Sequence, residues 1–169
     1  MSKTIKITMI LALTLSYVWS FAQISANVTV SGSWNANIPS STIIEAGNNY
    51  TGNYASASNQ VQISHTVNPF WYWGHTWTVE IRKNDVNWDT SLKLYARRTG
   101  NGSGQILCSS SITGGLSYQE ITGIDTYFYS GKCNRSSVPI QYELRNLSVL
   151  IPAGNQSTTI TYTVTVTAN

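Results

Sequence analysis

The stretch of this sequence richest in chemistry is aromatic. Phe70-Trp71-Tyr72-Trp73-Gly74-His75-Thr76-Trp77 holds three of the six tryptophans in the 169 residues. An indole or phenol ring offers a flat apolar face with a polar edge, which suits stacking against the C–H face of a sugar ring. Trp71, Tyr72 and Trp73 are therefore the candidate glycan-binding residues. Pro69 before them and Gly74 after them place them on a loop or strand end, where they could instead cap a core. Trp77 shares the parity of Val79 and Ile81 and is expected to be core.

A second candidate is Asp85-Val-Asn87-Trp-Asp89, whose alternating oxygens could gather on a calcium ion. An EF-hand loop from Asp85 would need glycine at position 90 and glutamate at 96, where Thr90 and Ala96 stand. Only a simpler surface calcium site remains, against a polar connection with Trp88 tucked beneath it. Cys108 and Cys133 are the only cysteines. His65 and His75 have no zinc-site spacing to them, so the expectation is one disulfide, closing a loop of about 25 residues and stabilising the fold by roughly 3–4 kcal/mol.

Catalysis finds no frame. No G-x-S-x-G or H-E-x-x-H motif occurs, and Gly100-Asn-Gly-Ser-Gly104 lacks the Lys-Ser/Thr of a phosphate loop and reads as a flexible hairpin tip. A pair of carboxylates meeting in space for glycoside hydrolysis is the residual enzymatic reading. The expectation is no enzyme, and no cofactor beyond weakly indicated calcium.

These residues are positioned by a chain that reads as exported. Lys3 and Lys6 precede the apolar run from Ile7 to Phe21, and Ser20-Phe-Ala22 supplies small residues before Gln23. That is the layout of a signal peptide over 1–22, cleaved after Ala22. The run is short for a ~20-residue span and has no basic cluster after it, so no membrane span is expected in the mature chain. Residues 23–169 then form one domain. Without Lys3 and Lys6, eight basic residues face seven acidic ones. This near-neutral balance gives no footprint for nucleic acid. Charged residues are 10% of the chain, against roughly 25% in ordinary soluble domains. A surface so poor in charge repels its neighbours weakly, which suits packing into an assembly.

The dominant period is two. In Thr159-Ile-Thr-Tyr-Thr-Val-Thr-Val-Thr167, Ile160, Tyr162, Val164 and Val166 face one way and threonines the other, as in a half-buried antiparallel strand. The same alternation runs through Val28 and Val30; Val61, Ile63, His65 and Val67; Trp77, Val79 and Ile81; Leu92, Leu94 and Ala96; and Ile140, Tyr142 and Leu144. Parity then changes to Leu147, Val149 and Ile151, which requires a bulge or a crossing between sheets near Asn146. Glycine- and asparagine-rich turns separate the runs, and no helical period is sustained. The fold class predicted is all-β: a single antiparallel two-sheet sandwich, Ig-like or pilin-like.

The signal ending at Ala22, the early strand Val28-Thr-Val30 and the threonine-rich strand Thr158–Thr167 resemble secreted pilin-like and spore-coat-U-like surface domains. The resemblance implies a sandwich assembled by strand addition. Such pilins often place a disulfide early in the chain, which the pair at 108 and 133 does not match. The leading expectation is a non-catalytic structural or adhesive protein in the periplasm, at the cell surface or outside the cell, self-associating through terminal strands. A glycan-binding module is the second reading and a small secreted hydrolase the third.

Overall fold

Alternating apolar residues become strands because an extended chain sends successive side chains to opposite faces. The computed structural model describes residues 25–38, 50, 52–68, 75–105 and 108–167. Within them lie β1 (Ser25–Ser31), β2 (Tyr54–Ala55), β3 (Val61–Asn68), β4 (Thr76–Asn87), β5 (Lys93–Arg98), β6 (Ser103–Gly104), β7 (Ser111–Gly114), β8 (Gln119–Glu120), β9 (Thr126–Lys132), β10 (Arg135–Arg145) and β11 (Ser157–Thr167). No helix occurs among the described residues. The strands make two antiparallel sheets packed as a sandwich. One runs β1-β3-β10-β5-β8, with β2 and β6 also paired to β10; the other runs β11-β4-β9-β7. Residues 1–22, where the sequence predicts a signal peptide, lie outside the described residues.

Each sheet buries the face its alternation assigned. Val61, Ile63, His65 and Val67 of β3, Leu94 and Ala96 of β5, and Ile140 and Tyr142 of β10 meet Trp77, Val79 and Ile81 of β4, Phe128 and Tyr129 of β9, and Tyr162 of β11. Aromatic rings fill much of this space, and each polar tip finds a partner across it. Tyr142 and Tyr162 share a hydroxyl–hydroxyl bond of 2.7 Å, His65 Nε2 meets Tyr129 Oη at 2.7 Å, and Trp77 Nε1 donates to the Cys133 carbonyl at 2.7 Å. Such pairing is what makes buried hydroxyls and indoles tolerable. Trp77 is thus core, as its parity indicates.

Irregularities carry information too. The pairing of β4 with β9 shifts register between Val79 and Glu80, so consecutive Phe128 and Tyr129 both turn inward. Pro139 lies inside the central strand β10, between the stretches that pair with β6 and with β5; it has no N–H to donate, but its carbonyl accepts from Thr99 N at 3.0 Å. Of the two readings of the parity change, the crossing occurs. β10 ends at Arg145, Asn146 takes a left-handed φ of 61°, and residues 147–156 carry the chain to the other sheet. Leu147, Val149 and Ile151 belong to this connection and to no strand, and Leu150 is 88% exposed.

Cys108 and Cys133 form the expected disulfide, with Cα atoms 6.3 Å apart. It ties the segment before β7 to the turn between β9 and β10, where Cys133 holds a left-handed φ of 63°. No helix among the described residues is long and apolar enough to cross a membrane.

Candidate functional site

A sheet edge presents unpaired backbone N–H and C=O groups, and sequence decides whether another chain can use them. Among the described residues β11 pairs with β4 alone, in register from Thr167 opposite Thr76 to Thr158 opposite Asp85, with a shift before Ser157. Tyr162 is buried and Ile160, Val164 and Val166 half-buried, while Thr159, Thr163, Thr165 and Thr167 are exposed. At the edge of the other sheet, β1 pairs with β3 alone among the described residues. Ala26 and Val28 pack on the core there, but Val30, opposite Ile63, is 49% exposed. β1 and β11 approach each other along this side of the sandwich. Neither contains a charge, a proline or a glycine.

The opposite side ends on β7, four residues, and β8, two residues. Both are too short to template a strand of ordinary length. β8 also carries a charge, Glu120, which pairs with Lys93 Nζ at 3.0 Å. Between these short edges is a cleft of about 330 Å³ lined by Gly114, Leu116, Tyr118, Gln119, Tyr127 and Phe128 among others. None of its lining residues is charged. Leu116 and Tyr127 are exposed, and Gln119 Nε2 donates to the Tyr127 carbonyl at 2.8 Å.

Trp71, Tyr72 and Trp73 lie outside the described residues. Each calcium candidate meets a partner within the protein. Asp85 is held by the Lys83 ammonium, Asn87 donates to the Asn155 carbonyl, and Asp89 accepts bonds from the Ser91 amide and hydroxyl. Those Ser91 bonds hold the Asp89 carboxyl below the usual carboxylate range. Asp85 thus meets an ammonium, Asn87 engages a carbonyl through its amide nitrogen and Asp89 engages Ser91 through one oxygen, contacts that bind the β4 end to its loops. Trp88 is half-buried there and donates to the Leu92 carbonyl, as the polar-connection reading requires. Among the described residues no three His, Cys, Asp or Glu side chains could share a metal.

The carboxylates are also spread out. Asp85, Asp89, Glu120, Asp125 and Glu143 each meet a different partner. Glu143 and Glu120 belong to a ladder on the outer face of the larger sheet, where Arg145 stands 3.9 Å from the Tyr95 ring centroid and Arg97 stands 4.6 Å from that of Tyr118. Arg97 also bonds Gln141 with two nitrogens. These rings are covered by guanidinium groups and offer no open stacking face.

Sequence reasoning passed over two features. Tyr118 and Tyr127 are separated by eight residues of turn and short strand, with no motif to unite them. Arg98 was within reach: the alternation Leu92, Leu94, Ala96 continues onto Arg98, which is buried. The Gly100–Gly104 segment is also not a loose tip. Ser103 and Gly104 form β6 against β10, and the Asn101 side chain accepts a bond from Arg98. No family model, no curated protein and no solved structure matches this chain.

Proposed function

We propose that the protein is an exported, non-catalytic structural subunit that associates with copies of itself by strand addition along the β1/β11 side. The observation that supports this most directly is the pair of long edges without charge, proline or glycine. Edges that must stay solitary are normally shortened, bulged or charged, and this protein treats its other two edges that way. Low overall charge weakens repulsion between subunits. The disulfide fits an oxidising compartment. Light scattering and negative-stain microscopy of the exported chain test the reading. Concentration-dependent oligomers or filaments are expected. A chain that stays monomeric at high concentration and after prolonged incubation overturns it.

A glycan-binding module is the second reading, favoured by the uncharged cleft with the exposed Leu116 and Tyr127 on its walls, and by Trp71, Tyr72 and Trp73 in the sequence. A neutral sugar ring suits such walls: apolar faces for its C–H surface and amide groups for its hydroxyls. The cleft and the β1/β11 edges lie on opposite sides of the sandwich, so the two readings are separately testable.

A further inference from the structure

Arg98 and Arg135 are the most heavily buried cations among the described residues, 3% and 9% exposed. Arginine remains charged under any ordinary condition, and a buried charge is costly unless paired. Yet among the described residues neither guanidinium has a carboxylate. All seven acidic residues except Glu45 lie among the described residues, and the ion pairs there go to Arg82, Lys83, Lys93 and Arg145. Arg98 bonds only neutral oxygens: the carbonyls of Gly114 and Gly100 and the Asn101 side chain. Arg135 donates to the carbonyls of Asn101 and Ser110, and its Nε is buried with no partner among the described residues. Asn101 serves both, through its side chain and its main chain. Burial lowers the Arg98 pKa, and the nearby Arg135 lowers it further.

Two adjoining buried cations, neutral acceptors and one unused N–H leave positive charge without its complement. Above them sit Asn101, Gly102, Ser103 and Gly104, all exposed, so only a thin, small-residue layer separates the pair from solvent. We propose that Arg98 and Arg135 form an anion-binding site for a carboxylate or sulfate group, either free or carried on an acidic glycan. Planar forks of N–H donors match the oxygens of such groups. This proposal does not depend on self-association.

The test uses thermal melting of the exported chain in sodium sulfate against sodium chloride at equal ionic strength. Sulfate stabilises most proteins without saturating, whereas a site saturates. The expected result is a saturable rise of about 4 °C in the wild type, the size that occupancy well above Kd produces in a domain of this length. Asn101→Asp places a carboxylate where Arg98 already meets the Asn101 side chain, on the residue whose carbonyl Arg135 bonds, so it should raise the melting temperature in chloride and remove the saturable response. Arg135→Gln should remove the response too, and if that variant does not fold, Asn101→Asp still decides. Retention of the wild type on polygalacturonate assigns the group to a glycan, and sulfate saturation without retention assigns it to a free anion. Identical, non-saturating sulfate curves for wild type and Asn101→Asp, with no retention, overturn the proposal.

Discussion

The two sides of the sandwich are built on opposite principles. On one, β1 and β11 run 7 and 11 residues with no charge. On the other, β7 and β8 run 4 and 2 residues beside Lys132, Lys93 and Glu120. The same backbone chemistry is exposed at both, so the difference lies in side chains and length. A long edge gives another strand many bonds per docking event, and threonine rows without charge oppose none of them. The short side instead leaves a cleft, which suits a small ligand and not a strand. The disulfide belongs to this short side, fastening the segment that leads into β7.

The sharpest way to break the comparison is to charge one edge and then the other. Thr163→Lys with Thr165→Lys on β11 should convert oligomers to monomers in light scattering. The equivalent change on β7, Thr113→Lys, should leave assembly intact. Equal effects would show that the asymmetry of the edges is unrelated to association. Both Thr163 and Thr165 are exposed, so melting should move by only a few degrees.

Next in size is the disulfide. Cys108→Ala with Cys133→Ala should lower unfolding free energy by roughly 3–4 kcal/mol in denaturant titration, while assembly through β11 persists. Loss of assembly with the fold intact would link the two sides.

Acid should act on the β1 side. His65 lies opposite Val28 of β1, and burial lowers its pKa from 6.5 to about 4. The unfolded chain therefore binds a proton that the folded one refuses between those values. Stability is at its full value above pH 6.5 and falls as pH drops toward 4, by about 3 kcal/mol at 1.36 kcal/mol per pKa unit. His65→Gln should flatten that part of the pH profile in urea unfolding. An unchanged slope would show that another group titrates there.

The smallest expected effect on stability is Tyr127→Ala. Tyr127 is 48% exposed, so melting should shift by a few degrees at most. Binding to neutral polysaccharide columns should disappear if the cleft holds sugar. Retained binding in Tyr127→Ala would move the glycan reading back to Trp71, Tyr72 and Trp73.

Most core strands were legible because period two survives wherever one face is buried. Trp77, Val79 and Ile81, or Ile140 and Tyr142, need no tertiary knowledge to be assigned inward. The inward pair Phe128–Tyr129 was not legible, because a bulge breaks alternation and depends on the partner strand for its position. Leu147, Val149 and Ile151 imitate a strand by alternation, although Asn146 turns the chain away before one can form. Edge status was equally hidden. Thr159–Thr167 has the same pattern at the centre of a sheet as at its rim, and only pairing with β4 alone distinguishes them. The contacts of Asp85 with Lys83, of Asn87 with Asn155 and of Asp89 with Ser91 were not legible as a set in Asp85-x-Asn87-x-Asp89, because only the first and last are local in sequence.

The full-length ladder between β11 and β4 has a mechanical consequence. Its hydrogen bonds lie perpendicular to the strands, from Thr158 opposite Asp85 to Thr167 opposite Thr76. Tension along the strand axis shears every rung together, while tension across the edge peels them one at a time. An assembly joined through β11 would therefore resist stretching along its strands far better than prying apart of its sheets.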